Sequence, residues 1–187
     1  MASTVRAAVV GMGAWVPQRV LTNADFEKMI DTTDDWIIQR TGIRERHVVA
    51  DGESTATLAT QAAQAALADA KMTASQMDLI LVATITPEMI LPATACFVQD
   101  ALGVRDVPAM DISAACSGFL YALTVGCTFI EAGKYRRVLV IGAEVLSRIT
   151  DYTDRGSCIL FGDGAGAVVL EATAEPGRGV LYNVLQA

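Results

Sequence analysis

The stretch from Cys116 to Ala132 constrains this chain more than any other. Read at helical spacing, Phe119, Leu120, Tyr121, Leu123, Val125, Phe129 and Ile130 leave no polar stripe, so the helix must be covered on every side. It is shorter than a membrane span, and Ser117, Gly118, Thr124, Gly126 and Thr128 interrupt it, so the cover has to be protein. A sheet can cover one side of such a helix. The other side needs a further layer, and the remaining segments are too few to supply it. The expectation is a chain that forms one half of a larger fold, or that pairs with another chain.

The flanking pattern says which sheet. Val5 to Gly11 reads as a buried strand, and Thr22 or Asn23 as the cap of a helix through Ile30 with Asp25 and Glu27 in its first turn. Asp31 to Asp35 offers capping oxygens for a short helix that carries Trp36, Ile37 and Arg40 and ends at Gly42. Ser54 opens an Ala-rich helix to about Ala70. Leu79 to Thr84 is a continuous apolar run, as expected of a strand covered on both faces, and a helix over Thr94 to Leu102 follows. Pro108 to Ile112 and Arg137 to Gly142 are the strands on either side of the Cys116 helix, and the alternating order implies a parallel α/β sheet. Ser157 to Phe161 and Ala165 to Glu171, joined by Gly162-Asp163-Gly164, read as a closing hairpin. Gly179 to Leu185 is strand-like and stops at Gln186-Ala187 without a polar tail. No internal repeat or linker divides residues 1–187, which read as one domain.

Composition narrows the class. With 52% hydrophobic and 19% charged residues, the chain is neither disordered nor a coiled coil. A formal charge of -7 disfavours nucleic acid as a partner, but leaves room for a small anion held by two or three arginines. Met1 to Arg6 runs straight into Ala7-Ala8-Val9-Val10 without the apolar stretch of a signal peptide, so the expected location is cytoplasmic, with no membrane segment. Cys96, Cys116, Cys127 and Cys158 show no CxxC spacing, which argues against a zinc site or a disulfide framework.

One cysteine stands apart. Ala109 to Gly118 places Cys116 between a buried strand and the first turn of a helix, among small neighbours. Unpaired N–H groups and the helix dipole favour a thiolate there, and the Cys116 N–H can donate to a developing oxyanion. Spacing alone leaves a second reading open, in which Cys116 is one more small buried hydrophobe, as most free cysteines are. Cys96 and Cys127, inside predicted helices, and Cys158, in a predicted strand, read as core. Gly11-Met12-Gly13 opens like a dinucleotide fingerprint, but Val16 stands where the third glycine belongs, so a tight turn explains it and a nicotinamide oxidoreductase is not expected. Gly162-Asp163-Gly164-Ala165-Gly166 lacks the following helix of a phosphate cradle.

Six strings in order and spacing carry a resemblance: Thr22-Asn23-Ala24-Asp25, Asp34-Asp35-Trp36-Ile37, the run from Arg40 to His47, Ala114-Ala115-Cys116-Ser117-Gly118, Thr153-Asp154-Arg155-Gly156, and the run from Phe161 to Gly166. Together they resemble β-ketoacyl-acyl carrier protein synthase III, a family of thiolase-fold condensing enzymes. The likeness covers nearly the whole chain but only the first of the family's two pseudo-repeated halves. It implies an α/β thiolase-like half, with a mixed sheet and a buried central helix, within an α-β-α-β-α sandwich. It implies that Cys116 takes an acyl group, usually acetyl, from acyl-CoA as a thioester, and that a malonyl-acyl carrier protein then condenses with it. Trp36 and Arg155 are implied to sandwich the CoA adenine and Arg40 to help hold its phosphates, with Leu91 reaching across a homodimer to line the acyl pocket. Acyl-CoA enters as substrate, and no permanently bound cofactor is implied. The His and Asn that act on the malonyl thioester belong to the missing carboxyl-terminal half. His47, the only histidine, stands elsewhere and reads as structural. The alternative is a non-catalytic half-subunit that binds CoA or supports a partner chain.

Overall fold

The structure, a computed structural model, describes residues 5–185. The expectations placed on Met1 to Thr4 and on Gln186-Ala187 lie outside the described residues. In chain order the elements are β1 (Arg6–Trp15), β2 (Arg19–Thr22), α1 (Asn23–Met29), α2 (Asp34–Thr41), β3 (Glu45–Val48), α3 (Thr55–Asp69), β4 (Leu79–Ala83), α4 (Thr94–Ala101), β5 (Ala109–Ile112), α5 (Gly118–Glu131), β6 (Arg137–Val145) and β7 (Asp163–Thr173). The caps fall where the sequence put them. Thr22 and Asp25 form a reciprocal capping box, Ser54 and Thr57 another, and Gly42 ends α2 at φ 70°.

Five strands form one sheet in the order β1-β7-β6-β4-β5. β4 runs parallel to β5 and β6, whereas β7 runs antiparallel to β6 and β1, so the sheet is mixed. Strand alternation then sorts the side chains onto two faces. Ile80, Val82, Leu139, Ile141, Ala167 and Val169 meet α3 and α4, while Leu79, Leu81, Ala83, Val138, Val140 and Leu170 meet α5. A third, smaller cluster of Phe26, Ile37, Cys158 and Ile159 lies under α1 and α2.

Three expectations are corrected. Residues 157–160 form a turn, not the first strand of a hairpin, and Asp163 opens β7, whose partners are β1 and β6. The apolar run Cys158-Ile159 is buried because it fills the third cluster, which needs no strand pairing. Gly179 to Leu185 is not a strand either; its described residues run without regular structure, pinned by the Val180 N–H to the Ala7 carbonyl at 2.8 Å. Gly11 and Gly13 lie inside β1 instead of a tight turn, because α3 comes so close that a Cβ on Gly13 would sit 2.3 Å from the Ala66 nitrogen. The short antiparallel pair β2-β3 was not anticipated from the sequence.

The unbroken apolarity of α5 has the consequence the sequence foretold. Gly118, Ala122, Gly126, Cys127 and Ile130 are buried against the sheet. Leu120 on the same helix is 54% exposed, and Met12 on β1 is 66% exposed. This side of the sheet is only partly covered.

Candidate active site

Cys116 lies where β5 hands the backbone to α5, at the centre of a single 3-10 turn, Ala115–Ser117, with the α-helix proper starting at Gly118. Ala115 has φ 46°, a left-handed conformation that costs an L-residue about 1–2 kcal/mol. That bend turns Cys116 out of the strand direction, and the residue is exposed. No side chain caps the start of α5, so N–H groups there keep donor capacity next to the sulfur. The thiol borders a cavity of about 440 Å³ walled mainly by apolar groups, among them Ile85, Leu146, Ile149 and Phe161. A short-chain thioester fits such a volume.

The other cysteines differ. Cys127 is buried, and burial pushes its thiol up to about 11, so it remains protonated at neutral pH. Cys158 is fully buried in the turn, where burial again raises the thiol. Cys96 is only half-buried, in the first turn of α4, which departs from the core placement expected of it.

Glu144, which the sequence reading missed, also borders the cavity. Its carboxylate accepts from the Ile85 N–H at 2.8 Å and from the hydroxyls of Thr84 and Thr86. The available signal was an acidic residue directly after the apolar run of β6. It braces the ends of two adjacent parallel strands, β4 and β6, where the cavity wall begins.

Trp36, Arg40 and Arg155 come together as a second constellation. Trp36 sits in the first turn of α2, its N–H bonded to the Thr33 hydroxyl at 3.1 Å, and its ring is half-buried. The Arg40 Cζ lies 4.2 Å from the ring centroid and the Arg155 Cζ 4.1 Å from it, both within cation–π range. Arg155 rides on an exposed turn. Asp154 accepts the Gly156 N–H at 2.9 Å and the Ser157 hydroxyl, while Asp151 accepts the Thr153 N–H and hydroxyl. These donors hold both carboxyls below their ordinary values, first through the two hydroxyls. The same turn supplies Asp151, Ser157 and Phe161 to the Cys116 cavity, so both constellations share a wall.

Leu91 stands apart, 81% exposed, and does not line the cavity of its own chain. His47 lies on β3 with Nδ1 donating to the Pro17 carbonyl at 2.6 Å, a bond that fixes the ring in a structural setting. Among the described residues, no group of three or more His, Cys, Asp or Glu could hold a metal ion. Among the same residues, no helix is long and apolar enough to cross a membrane.

The sequence model of 3-oxoacyl-[acyl-carrier-protein] synthase III matches residues 110–187. A β-ketoacyl-[acyl-carrier-protein] synthase III of Thiobacillus denitrificans is 58% identical over 170 residues, which is 90% of this chain and 53% of the relative. Its counterpart in Bradyrhizobium diazoefficiens is 53% identical over 187 residues, or 97% of this chain and 57% of the relative. The crystal structure of 3-oxoacyl-[acyl-carrier-protein] synthase III from Aquifex aeolicus superposes with a TM-score of 0.88 at 50% identity, over 90% of this chain and 55% of that one. The chain thus spans about half the length of the relatives it matches. Its fold is thiolase-like, and over the stretch it covers the chain is similar to the β-ketoacyl-[acyl-carrier-protein] synthase III proteins.

Proposed function

We propose that Cys116 accepts an acyl group, acetyl first among candidates, from acyl-CoA, and that the complete enzyme condenses it with malonyl-acyl carrier protein to begin a fatty acid. The observation that carries this reading is an exposed cysteine on a left-handed elbow, opening on an apolar cavity that shares a wall with an indole–guanidinium pair. In the first step the Cys116 thiolate attacks the acyl carbonyl, a carbon–sulfur bond forms, and the CoA thiolate leaves. The N–H groups at the uncapped start of α5 are suited to the oxyanion that forms on the way. In the second step malonyl loses carbon dioxide, its carbanion attacks the new thioester to form a carbon–carbon bond, and the acyl carbon–sulfur bond breaks to release the Cys116 thiolate.

The indole of Trp36 and the guanidinium of Arg155 suit a purine, and Arg40 suits a phosphate. At 4.1 Å, Arg155 and Trp36 leave no room for a ring between them, so Arg155 must swing out on its turn when adenine enters. Leu91, exposed and not among the residues that line its own chain's cavity, is assigned to the pocket of a second copy in a homodimer. The proposed setting is cytoplasmic, and the proposed domain unit is the amino-terminal half over residues 1–187. Condensation needs groups of the carboxyl-terminal half, and removing one oxyanion donor alone typically lowers rates by about 10² to 10³.

The test is incubation of the full polypeptide with acetyl-CoA, followed by mass spectrometry of the peptide that carries Cys116. An acetyl adduct on Cys116, absent in Cys116→Ala, is expected. An adduct that persists in Cys116→Ala defeats the assignment. The partly covered face of α5 favours a second reading, in which this chain serves as a CoA-binding half completed by a partner. Ketoacyl product from the purified 187-residue chain alone would dismiss it.

A further inference from the structure

Arg46 is the one buried arginine among the described residues, 4% exposed, and no carboxylate lies within ion-pair distance of it there. Burial pushes its guanidinium down from the ordinary value. A buried cation without a counter-ion is expensive unless every donor is used. Here the donors are used in two directions. Nε donates to the Ile159 carbonyl at 2.8 Å, and Nη2 donates to the same oxygen. Nη1 donates to the Asn23 Oδ1, and the Arg46 Cζ lies 4.8 Å from the Phe26 ring centroid.

Each direction ends at one jaw of the Trp36 constellation. Ile159 closes the turn that carries Arg155. Asn23, itself 2% exposed, donates through Nδ2 to the Asp34 Oδ1 at 2.7 Å and to the Ile43 carbonyl at 3.0 Å. Asp34 is the first residue of α2, and Ile43 follows the Gly42 that ends it. One amide therefore holds both ends of the helix that carries Trp36 and Arg40, and one guanidinium joins that amide to the opposing turn.

We propose that Arg46, acting through Asn23, is a positioning residue that sets the spacing and mutual orientation of Trp36 and Arg155 for the adenine of the acyl donor. The proposal rests on the reading of Trp36 and Arg155 as an adenine clamp. Neither Arg46 nor Asn23 touches the donor. A planar fork with three N–H groups on two acceptors spans the gap in a way that a lysine ammonium cannot reproduce. A small misplacement of a positioning group is sufficient to weaken productive binding by an order of magnitude or more.

The experiment compares two acetyl thioesters on the full polypeptide: acetyl-CoA, and acetyl-N-acetylcysteamine, which lacks the nucleotide. The readout is the ratio of their efficiencies in acylating Cys116. Arg46→Lys is expected to lower that ratio about tenfold or more, through KM for acetyl-CoA. Asn23→Ala should lower it in the same sense, and the double variant no further than the more severe single one. A purely structural role would slow both donors alike and leave the ratio in place, which overturns the proposal. If Arg46→Lys does not fold, Asn23→Ala carries the same comparison without altering the buried guanidinium. Trp36→Ala separates the two layers of argument. If it leaves the ratio unchanged, the adenine clamp itself is wrong and the proposal goes with it. If it lowers the ratio while Arg46→Lys and Asn23→Ala do not, the clamp stands and the role of Arg46 is refuted.

Discussion

The two faces of the five-stranded sheet are built to different degrees of completion. On one face α3 lies almost backbone to backbone against β1, with Ala59, Ala62, Ala63 and Ala66 fully buried and Gly11 and Gly13 making room. On the other, α5 presses Gly118, Ala122, Gly126 and Ile130 onto the strands but leaves Leu120 54% exposed on its outer side. The first face is finished within this chain, and small residues are what allowed it to close. The second carries Cys116 at its edge and still presents apolar surface. A helix that seals the sheet and starts beside Cys116 is half-wrapped by its own chain, which leaves apolar surface on which a further layer would pack.

The contrast can be broken by substitution. The largest effect should come from Gly13→Ala: its Cβ would lie 2.3–2.7 Å from atoms of α3, two of them backbone, and a loss of about 3 kcal/mol is expected in denaturant unfolding. Next comes Asp111→Ala, which removes the carboxylate that accepts the Thr94 and Ala95 N–H groups at 2.7 Å each at the start of α4. About 1–2 kcal/mol should be lost in the same measurement. Gly126→Ala places a Cβ 3.1–3.3 Å from the side-chain ends of Leu170, Val138 and Val140, which can shift. The helix-propensity gain offsets that crowding, and a net change within about 1 kcal/mol of zero is expected. Smallest is Leu120→Lys, at less than about 0.5 kcal/mol in the isolated chain, with reduced self-association by gel filtration. Should Leu120→Lys prove as damaging as Gly13→Ala, the two faces are equally closed and the distinction fails.

The fold was legible wherever one short-range rule decided the outcome. Leu79 to Ala83 is apolar throughout and emerges as a strand buried on both faces. Thr22, Ser54 and Gly42 announced helix ends because capping is local. The misread segments share a cause. Cys158 and Ile159 are apolar for the sake of a cluster with Phe26 and Ile37 that is distant in the chain, and hydrophobicity alone does not distinguish a strand from a buried turn. β2 and β3 escaped notice because each has four residues and carries charges such as Arg19, Glu45 and Arg46. The elbow at Cys116 was visible in its small neighbours, although the left-handed Ala115 was not, since alanine seldom adopts it. Arg46 was hidden for the opposite reason. Charged residues are expected outside, and its partners lie 23 and 113 positions away in the chain.

The bend at Ala115 bears on how this protein can change over generations. Glycine would sit there without strain, and Ala115→Gly should raise stability by about 1 kcal/mol. It would also release residues 114–117 to sample conformers that the methyl group now forbids, and the sulfur would spend less time aimed at the cavity. On the proposed role of Cys116, a more robust protein and a slower acylation are then the two expected results of one substitution, and selection for acylation would oppose the easiest mutation toward a calmer backbone.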